Sequence, residues 1–293
     1  MLVEGSIVAL ITPFNDNGSI NFNKLGELIE FHIEKKTDAL LVLGTTGETP
    51  TLSHEEDDSV VKYTIEKVNK RIPVYVGAGS NNTDTQVTYC KKYEEMGADA
   101  LLVISPYYNK ANEEGMYLHF KTVADVIKTP LILYNVPGRT GCSIPYSVVK
   151  RLATHPNVAA IKEASGNISY LATIAKLASD DFQIYSGNDD MVVPALSLGG
   201  CGVISVAANI IPEEMHNMVR YYLDGKTKEA LDIQLNYLDF INALFIETNP
   251  IPVKEAMNLA GMGVGGYRLP LTYMSEVNRN VLIKEMKVLG KNV

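Results

Sequence analysis

The residue in this sequence with the greatest chemical potential is a lysine near the end of a short, almost wholly apolar run. Lys162 follows Val158-Ala159-Ala160-Ile161 and precedes Glu163. In water a lysine, with a pKa of about 10.4, is nearly all ammonium at neutral pH and cannot attack a carbonyl. A lysine inside a strand-built core loses that solvation, which favours the neutral amine and makes it a nucleophile able to form a Schiff base with a small 2-keto acid. The plain alternative is a lysine that snorkels to solvent from the strand end or pairs with a carboxylate. Tyr134 lies near the end of a second such run, Pro130-Leu131-Ile132-Leu133-Tyr134-Asn135. Imine formation needs a proton delivered to a departing hydroxyl, and a phenol linked to other hydroxyls can relay it. Thr45 and Tyr108 can extend that chain, although with 16 tyrosines in the sequence most must simply pack. Gly44 and Gly47 bracket Thr45-Thr46, which suits either a tight loop with N–H groups facing an anion or an ordinary turn. Arg139, in Pro137-Gly138-Arg139-Thr140-Gly141, can hold a carboxylate bidentately or serve as a surface arginine.

The elements that would position these groups repeat along the chain. Near-continuous apolar runs occur at 6–12, 39–44, 73–79, 100–105, 130–135, 158–164, 182–187 and 202–207, the pattern of strands buried on both faces. Amphipathic stretches between them, at 22–35, 54–70, 84–95, 113–127 and 145–154, predict helices. Ser53 ahead of His54-Glu55-Glu56, and Pro212 with Glu213 and Glu214, are start signals. Eight strand–helix units before residue 225 predict an α/β protein, a closed (β/α)₈ TIM barrel spanning 1–224. Helical stretches at 227–245, 250–260 and 274–289 predict a C-terminal helical domain, 225–293. In such a barrel the site collects at the C-terminal ends of the strands. Those ends carry Thr45, Thr46, Ser80, Asn81, Tyr107, Tyr108, Tyr134, Arg139, Lys162 and the Ser186-Gly187-Asn188-Asp189 segment.

The bulk properties narrow the chemistry. A net charge of −8 in 293 residues argues against a nucleic-acid partner. No apolar run reaches a membrane span, and the opening Met1-Leu2-Val3-Glu4-Gly5 lacks the features of a secretory signal. Cys90, Cys142 and Cys201 share no close spacing, and the five histidines form no cluster, so a cytoplasmic chain without metal or disulfide framework is expected. Gly261, Gly263 and Gly266 match the dinucleotide-binding glycine pattern. They lack the strand before and the helix after that the pattern requires, so they predict a helix connection.

Taken together, Gly44-Thr45-Thr46-Gly47-Glu48, Tyr107-Tyr108-Asn109, Tyr134-Asn135-Val136-Pro137-Gly138-Arg139-Thr140-Gly141 and Ile161-Lys162-Glu163-Ala164 resemble the dihydrodipicolinate synthase family of the N-acetylneuraminate lyase superfamily. The likeness runs from Gly5-Ser6-Ile7-Val8 to Arg268-Leu269-Pro270. It implies that Lys162 forms an imine with pyruvate, that no other cofactor is needed, and that Tyr134, Thr45 and Tyr108 relay protons. Tyr108 would reach into a neighbouring subunit of a homodimer or homotetramer. Thr46 would bind the pyruvate carboxylate, Arg139 the carboxylate of L-aspartate 4-semialdehyde, and Gly187 and Ile204 would line the pocket. The implied product is 4-hydroxy-tetrahydrodipicolinate, at the opening of diaminopimelate and lysine synthesis. Rival readings are a sugar-acid aldolase of the same superfamily, such as an N-acetylneuraminate or keto-deoxy-sugar acid lyase, and a catalytically silent barrel that only binds a ligand. The resemblance further implies an effector site for lysine at Thr49, Pro50, His54, Asp57, Asn81, Thr85 and Tyr107. Here Asp57 stands where lysine-inhibited relatives carry a histidine, and Thr85 where they carry a glutamate. Little inhibition by lysine is therefore expected, both because the glutamate's charge is missing and because Asp57 would repel the effector's carboxylate.

Overall fold

The computed structural model describes residues 2–290. The first four units are β1 (Gly5–Ala9), α1 (Phe22–Glu34), β2 (Ala39–Val42), α2 (His54–Val68), β3 (Val74–Gly77), α3 (Thr83–Met96), β4 (Ala100–Ile104) and α4 (Glu113–Ala124). The next four are β5 (Leu131–Asn135), α5 (Pro137–Thr140) with α6 (Tyr146–Leu152), β6 (Val158–Glu163) with α7 (Ile168–Ile174), β7 (Gln183–Ser186) with α8 (Val192–Ser197), and β8 (Gly202–Ser205) with α9 (Pro212–Leu223). The strands form one closed parallel barrel in sequence order, so the (β/α)₈ expectation is met. At the closing seam Gly5 pairs with Gly202 and Ile7 with Ile204. A Cβ on Gly202 would lie 2.0 Å from the Gly5 carbonyl oxygen, so this approach of the two strands admits only glycine.

Alternation along each strand divides the apolar residues into two layers. Ile7, Leu41, Tyr75, Leu102, Ile132, Ala160, Tyr185 and Ile204 fill the barrel interior. Their neighbours, among them Leu40, Val76, Leu101, Leu133 and Ile161, face outward against helical residues such as Leu25, Ile29, Val61 and Phe120. At the N-terminal end of the barrel the Tyr185 hydroxyl donates to the carbonyl of Val3 and the Tyr75 hydroxyl accepts from its N–H. That floor leaves the opposite end as the open mouth. The Ser53 start signal is a full capping box, with Ser53 and Glu56 each holding the other's backbone N–H.

Beyond the barrel come α10 (Thr227–Asn236), α11 (Leu238–Ala243), α12 (Ile251–Leu259) and α13 (Glu276–Val288). The stretch 227–245, expected as one helix, is interrupted at Tyr237, whose hydroxyl donates to Glu214 on α9. Residues 137–140, between the apolar run 130–135 and the helical stretch 145–154, wind into a helical turn because Pro137 is pre-set for a first helical position. The glycine-rich segment after α12 is a connection, tied back by the Asn258 side chain to Gly265 and Val264. Arg268 reaches from this segment to both Glu56 carboxylate oxygens, at 2.6 and 2.7 Å, and to the carbonyl of Gly18. No helix among the described residues is long and apolar enough to cross a membrane.

Candidate active site

The β5–β6 ladder sets Tyr134 directly opposite Lys162. Lys162 shares its face of β6 with Ala160, so its side chain enters the barrel mouth, and it is only 5% exposed. Its Nζ lies 4.4 Å from the centre of the Tyr134 ring, within range of a cation–π contact when protonated. The next residue, Glu163, points the other way. Its carboxylate accepts from Asn135 Nδ2 at 2.6 Å and from the Ser165 N–H at 2.7 Å. Burial pushes this carboxyl above the usual carboxylate range, and the two hydrogen bonds pull against that shift. Asn135 also accepts from the Ile144 N–H at 2.9 Å. One buried asparagine thus ties the far end of the segment carrying Arg139 to the strand carrying Lys162.

Gly187 follows β7, and a Cβ there would sit 2.6 Å from the Ala164 Cβ and 3.0 Å from Lys162 Cε. The lysine chain is therefore laid against bare backbone. Ile204 is fully buried in the barrel interior, two residues beyond Gly202, which the ladder through Tyr185 sets level with Lys162. Asp189, also buried, accepts from the N–H groups of Val206 at 3.0 Å and Ala207 at 2.9 Å. Burial raises its carboxyl above the usual range, while bonds from Ser205, Ala207 and Val206 and the charge of Lys162 draw it down. This fixed carboxylate near the amine was in the strand-end segment but carried no role in the sequence reading.

Thr45 and Thr46 lie in a single 3-10 turn, Thr45–Gly47, that caps the mouth after β2. Thr46 is buried, and its Oγ1 accepts from Asn249 Nδ2 at 3.0 Å, which leaves the hydroxyl proton free for an anionic ligand. The carbonyl of the same Asn249 accepts from Arg139 at 3.2 Å. Asn249 therefore bridges two of the expected carboxylate-binding residues, and it was missed because it lies outside the strand ends that the barrel rule inspects. Arg139 itself is exposed on the rim. Among the described residues no hydrogen bond links the hydroxyls of Tyr134, Thr45 and Tyr108. Tyr108 is 92% exposed, with a left-handed backbone (φ 69°), and stands away from the enclosed groups of its own chain.

The residues expected to bind lysine lie in the segments that follow β2, β3 and β4. Asn81 donates to the carbonyl of Tyr107 at 3.2 Å, and the His54 ring is hydrogen-bonded to the Tyr89 hydroxyl. Thr49 donates to the carbonyl of Gly44, and Thr85 sits in the first turn of α3 with its N–H on the Asn82 cap. Asp57 corrects the sequence reading. It is buried rather than presented to an effector, and desolvation, with the charges of Asp58 and Glu56, pushes its carboxyl up to about 7. The upward shift favours the uncharged form, so simple repulsion by Asp57 is weaker than its residue type suggests.

Comparison with known proteins follows the same lines. Residues 2–289 match the model of the Dihydrodipicolinate synthetase family. The 4-hydroxy-tetrahydrodipicolinate synthase of Clostridium novyi is 55% identical over 290 residues, covering 99% of this chain and 98% of that one. The crystal structure of dihydrodipicolinate synthase from Aquifex aeolicus superposes with a TM-score of 0.96 at 43% identity, over 99% of both chains. The chloride-inhibited dihydrodipicolinate synthase from Acinetobacter baumannii, complexed with pyruvate, gives 0.96 at 40% identity, over 99% of this chain and 100% of that one.

Proposed function

The chain belongs to the Dihydrodipicolinate synthetase family, and from that premise we propose that Lys162 carries out its reaction, the condensation of pyruvate with L-aspartate 4-semialdehyde to 4-hydroxy-tetrahydrodipicolinate. The observation that supports this reading most is Lys162 inside the barrel mouth with Tyr134 against it. The enzyme is a lyase at the opening step of diaminopimelate and lysine synthesis, in keeping with relatives named 4-hydroxy-tetrahydrodipicolinate synthase.

Lys162 Nζ attacks the keto carbon of pyruvate, and Tyr134 delivers the proton with which the hydroxyl leaves as water. The resulting iminium acidifies the pyruvate methyl group, and loss of one proton gives an enamine. The Asp189 carboxyl, which burial pushes up and the charge of Lys162 draws down, is near enough to respond to the same positive charge on the iminium. The enamine carbon then attacks the aldehyde carbon of the second substrate and forms the new carbon–carbon bond. Finally the substrate's own amine adds to the imine carbon and displaces Lys162, and the ring closes with the lysine regenerated. Thr46 holds the pyruvate carboxylate, Arg139 that of the semialdehyde, and Thr45 and Tyr108 extend the proton path. Gly187 and Ile204 shape the pocket. No metal or organic cofactor takes part in this scheme.

The exposure of Tyr108 supports a site completed by a second subunit. Mixing Tyr108→Phe with Lys162→Ala protein is then expected to restore activity, because a hybrid dimer holds one intact site. Subunit exchange without any recovered turnover would show that each chain works alone.

Inhibition by free lysine is expected to be weak. Thr85 offers the effector's ammonium only a neutral hydrogen bond, roughly half as strong as a charge-assisted one. A dose–response curve for turnover tests this, and strong inhibition at sub-millimolar lysine would contradict it.

A further inference from the structure

Glu48 and Lys254 form an ion pair whose side chains are both 0% exposed, with Lys254 Nζ 2.7 Å from Glu48 Oε1. Glu48 immediately follows the Thr45–Gly47 turn, and Lys254 lies on α12, some 200 residues later. The ammonium has further partners on the barrel. It donates to the Thr12 carbonyl at 3.1 Å and stands 4.4 Å from the centre of the Phe14 ring. Thr12 in turn donates through its hydroxyl to the Gly47 carbonyl at 2.6 Å. The other Glu48 oxygen accepts from the Arg268 N–H at 3.2 Å. Asn249, five residues before Lys254, holds Thr46. One short stretch of the C-terminal region thus grips the turn at Thr46 directly, at Glu48 through the ion pair and at Gly47 through Thr12.

Stability alone gives no reason for this arrangement. Burying two charges is so unfavourable that apolar replacements of similar volume are often neutral or stabilising. What the pair does achieve is local. Glu48 adopts a left-handed backbone (φ 57°), which a side-chain-bearing residue keeps only when its surroundings enforce it. Burial shifts Lys254 toward the neutral amine, and Glu48 opposes that shift, so the two charges hold each other in place. Lys254 is the second buried lysine among the described residues, yet its ammonium is held by Glu48 and the Thr12 carbonyl and no solvent reaches it, so it is no rival nucleophile.

We infer that Glu48 and Lys254 are positioning residues for the reaction, an internal clamp through which the C-terminal helices hold Thr45 and Thr46 in register with Lys162. This rests on the reading of Lys162 as imine-forming and of Thr46 as the carboxylate site. The test pairs Glu48→Leu with Lys254→Met in one protein, which removes both charges without orphaning either. The double variant is expected to melt near the parent temperature, while its KM for pyruvate rises about tenfold and borohydride trapping of the pyruvate imine needs correspondingly more pyruvate. KM for the semialdehyde should move by less than about threefold. A second variant, Thr12→Val, removes only the hydroxyl tie to Gly47 and should shift the pyruvate KM in the same direction by roughly threefold. This variant decides the matter if the double variant fails to fold. Normal pyruvate dependence in whichever of these variants folds overturns the clamp while leaving Lys162 in its role. Absence of any pyruvate adduct on Lys162 in the parent protein removes the underlying reading and the clamp with it.

Discussion

Lys162→Ala is expected to lower kcat by at least roughly a thousandfold, because the covalent route through the imine is lost and only binding and polarisation of the substrates remain. The fold should survive. The Lys162 side chain makes no hydrogen bond or salt bridge among the described residues, and it projects into the open mouth rather than bracing two elements. Removing this amine therefore breaks no hydrogen bond or salt bridge and costs Asp189 only a through-space charge, in contrast to removal of Lys254, which would strand Glu48. Turnover measured beside a thermal melt separates the two effects. An alanine variant that melts like the parent yet retains turnover within about tenfold would show that another group does the chemistry.

Arg139→Ala is expected to fall mainly on the second substrate. A charge-assisted carboxylate pair contributes roughly 2–5 kcal/mol. Because Arg139 is exposed on the rim and anchored by one bond to the Asn249 carbonyl, the lower figure applies. About 2 kcal/mol corresponds to roughly a thirtyfold loss in kcat/KM for L-aspartate 4-semialdehyde. Trapping of the pyruvate imine should change little, since Thr46 and Lys162 are untouched. If both substrates suffered equally, Arg139 would be acting by holding Asn249, and through it Thr46, rather than by binding the semialdehyde.

The parts of this protein that were legible in its sequence are those encoded locally. Eight apolar runs gave the barrel because strands buried on both faces leave little room for polar residues. Lys162 stood out for the same reason, as a charge where the run allows none. Tyr134 followed from its place near the end of the preceding run, and the ladder sets it opposite Lys162. The rest depended on contacts that no local pattern records. Asn249 reaches Thr46 across 203 residues and Lys254 reaches Glu48 across 206, so neither spacing nor periodicity could pair them. Asp57 stands in the acidic first turn of α2, yet it is buried in the fold, and that burial with the charges of Asp58 and Glu56 raises its carboxyl. The break at Tyr237, whose hydroxyl bonds to Glu214 on another helix, is likewise not registered by helical periodicity alone.

Reduction with borohydride in the presence of isotopically labelled pyruvate, followed by peptide mass spectrometry, tests the assignment of the nucleophile most directly. The expected result is a single labelled lysine, Lys162, with Lys254 unmodified because its amine is enclosed between Glu48 and Thr12. Label on any other lysine, or none at saturating pyruvate, would contradict the Schiff-base assignment.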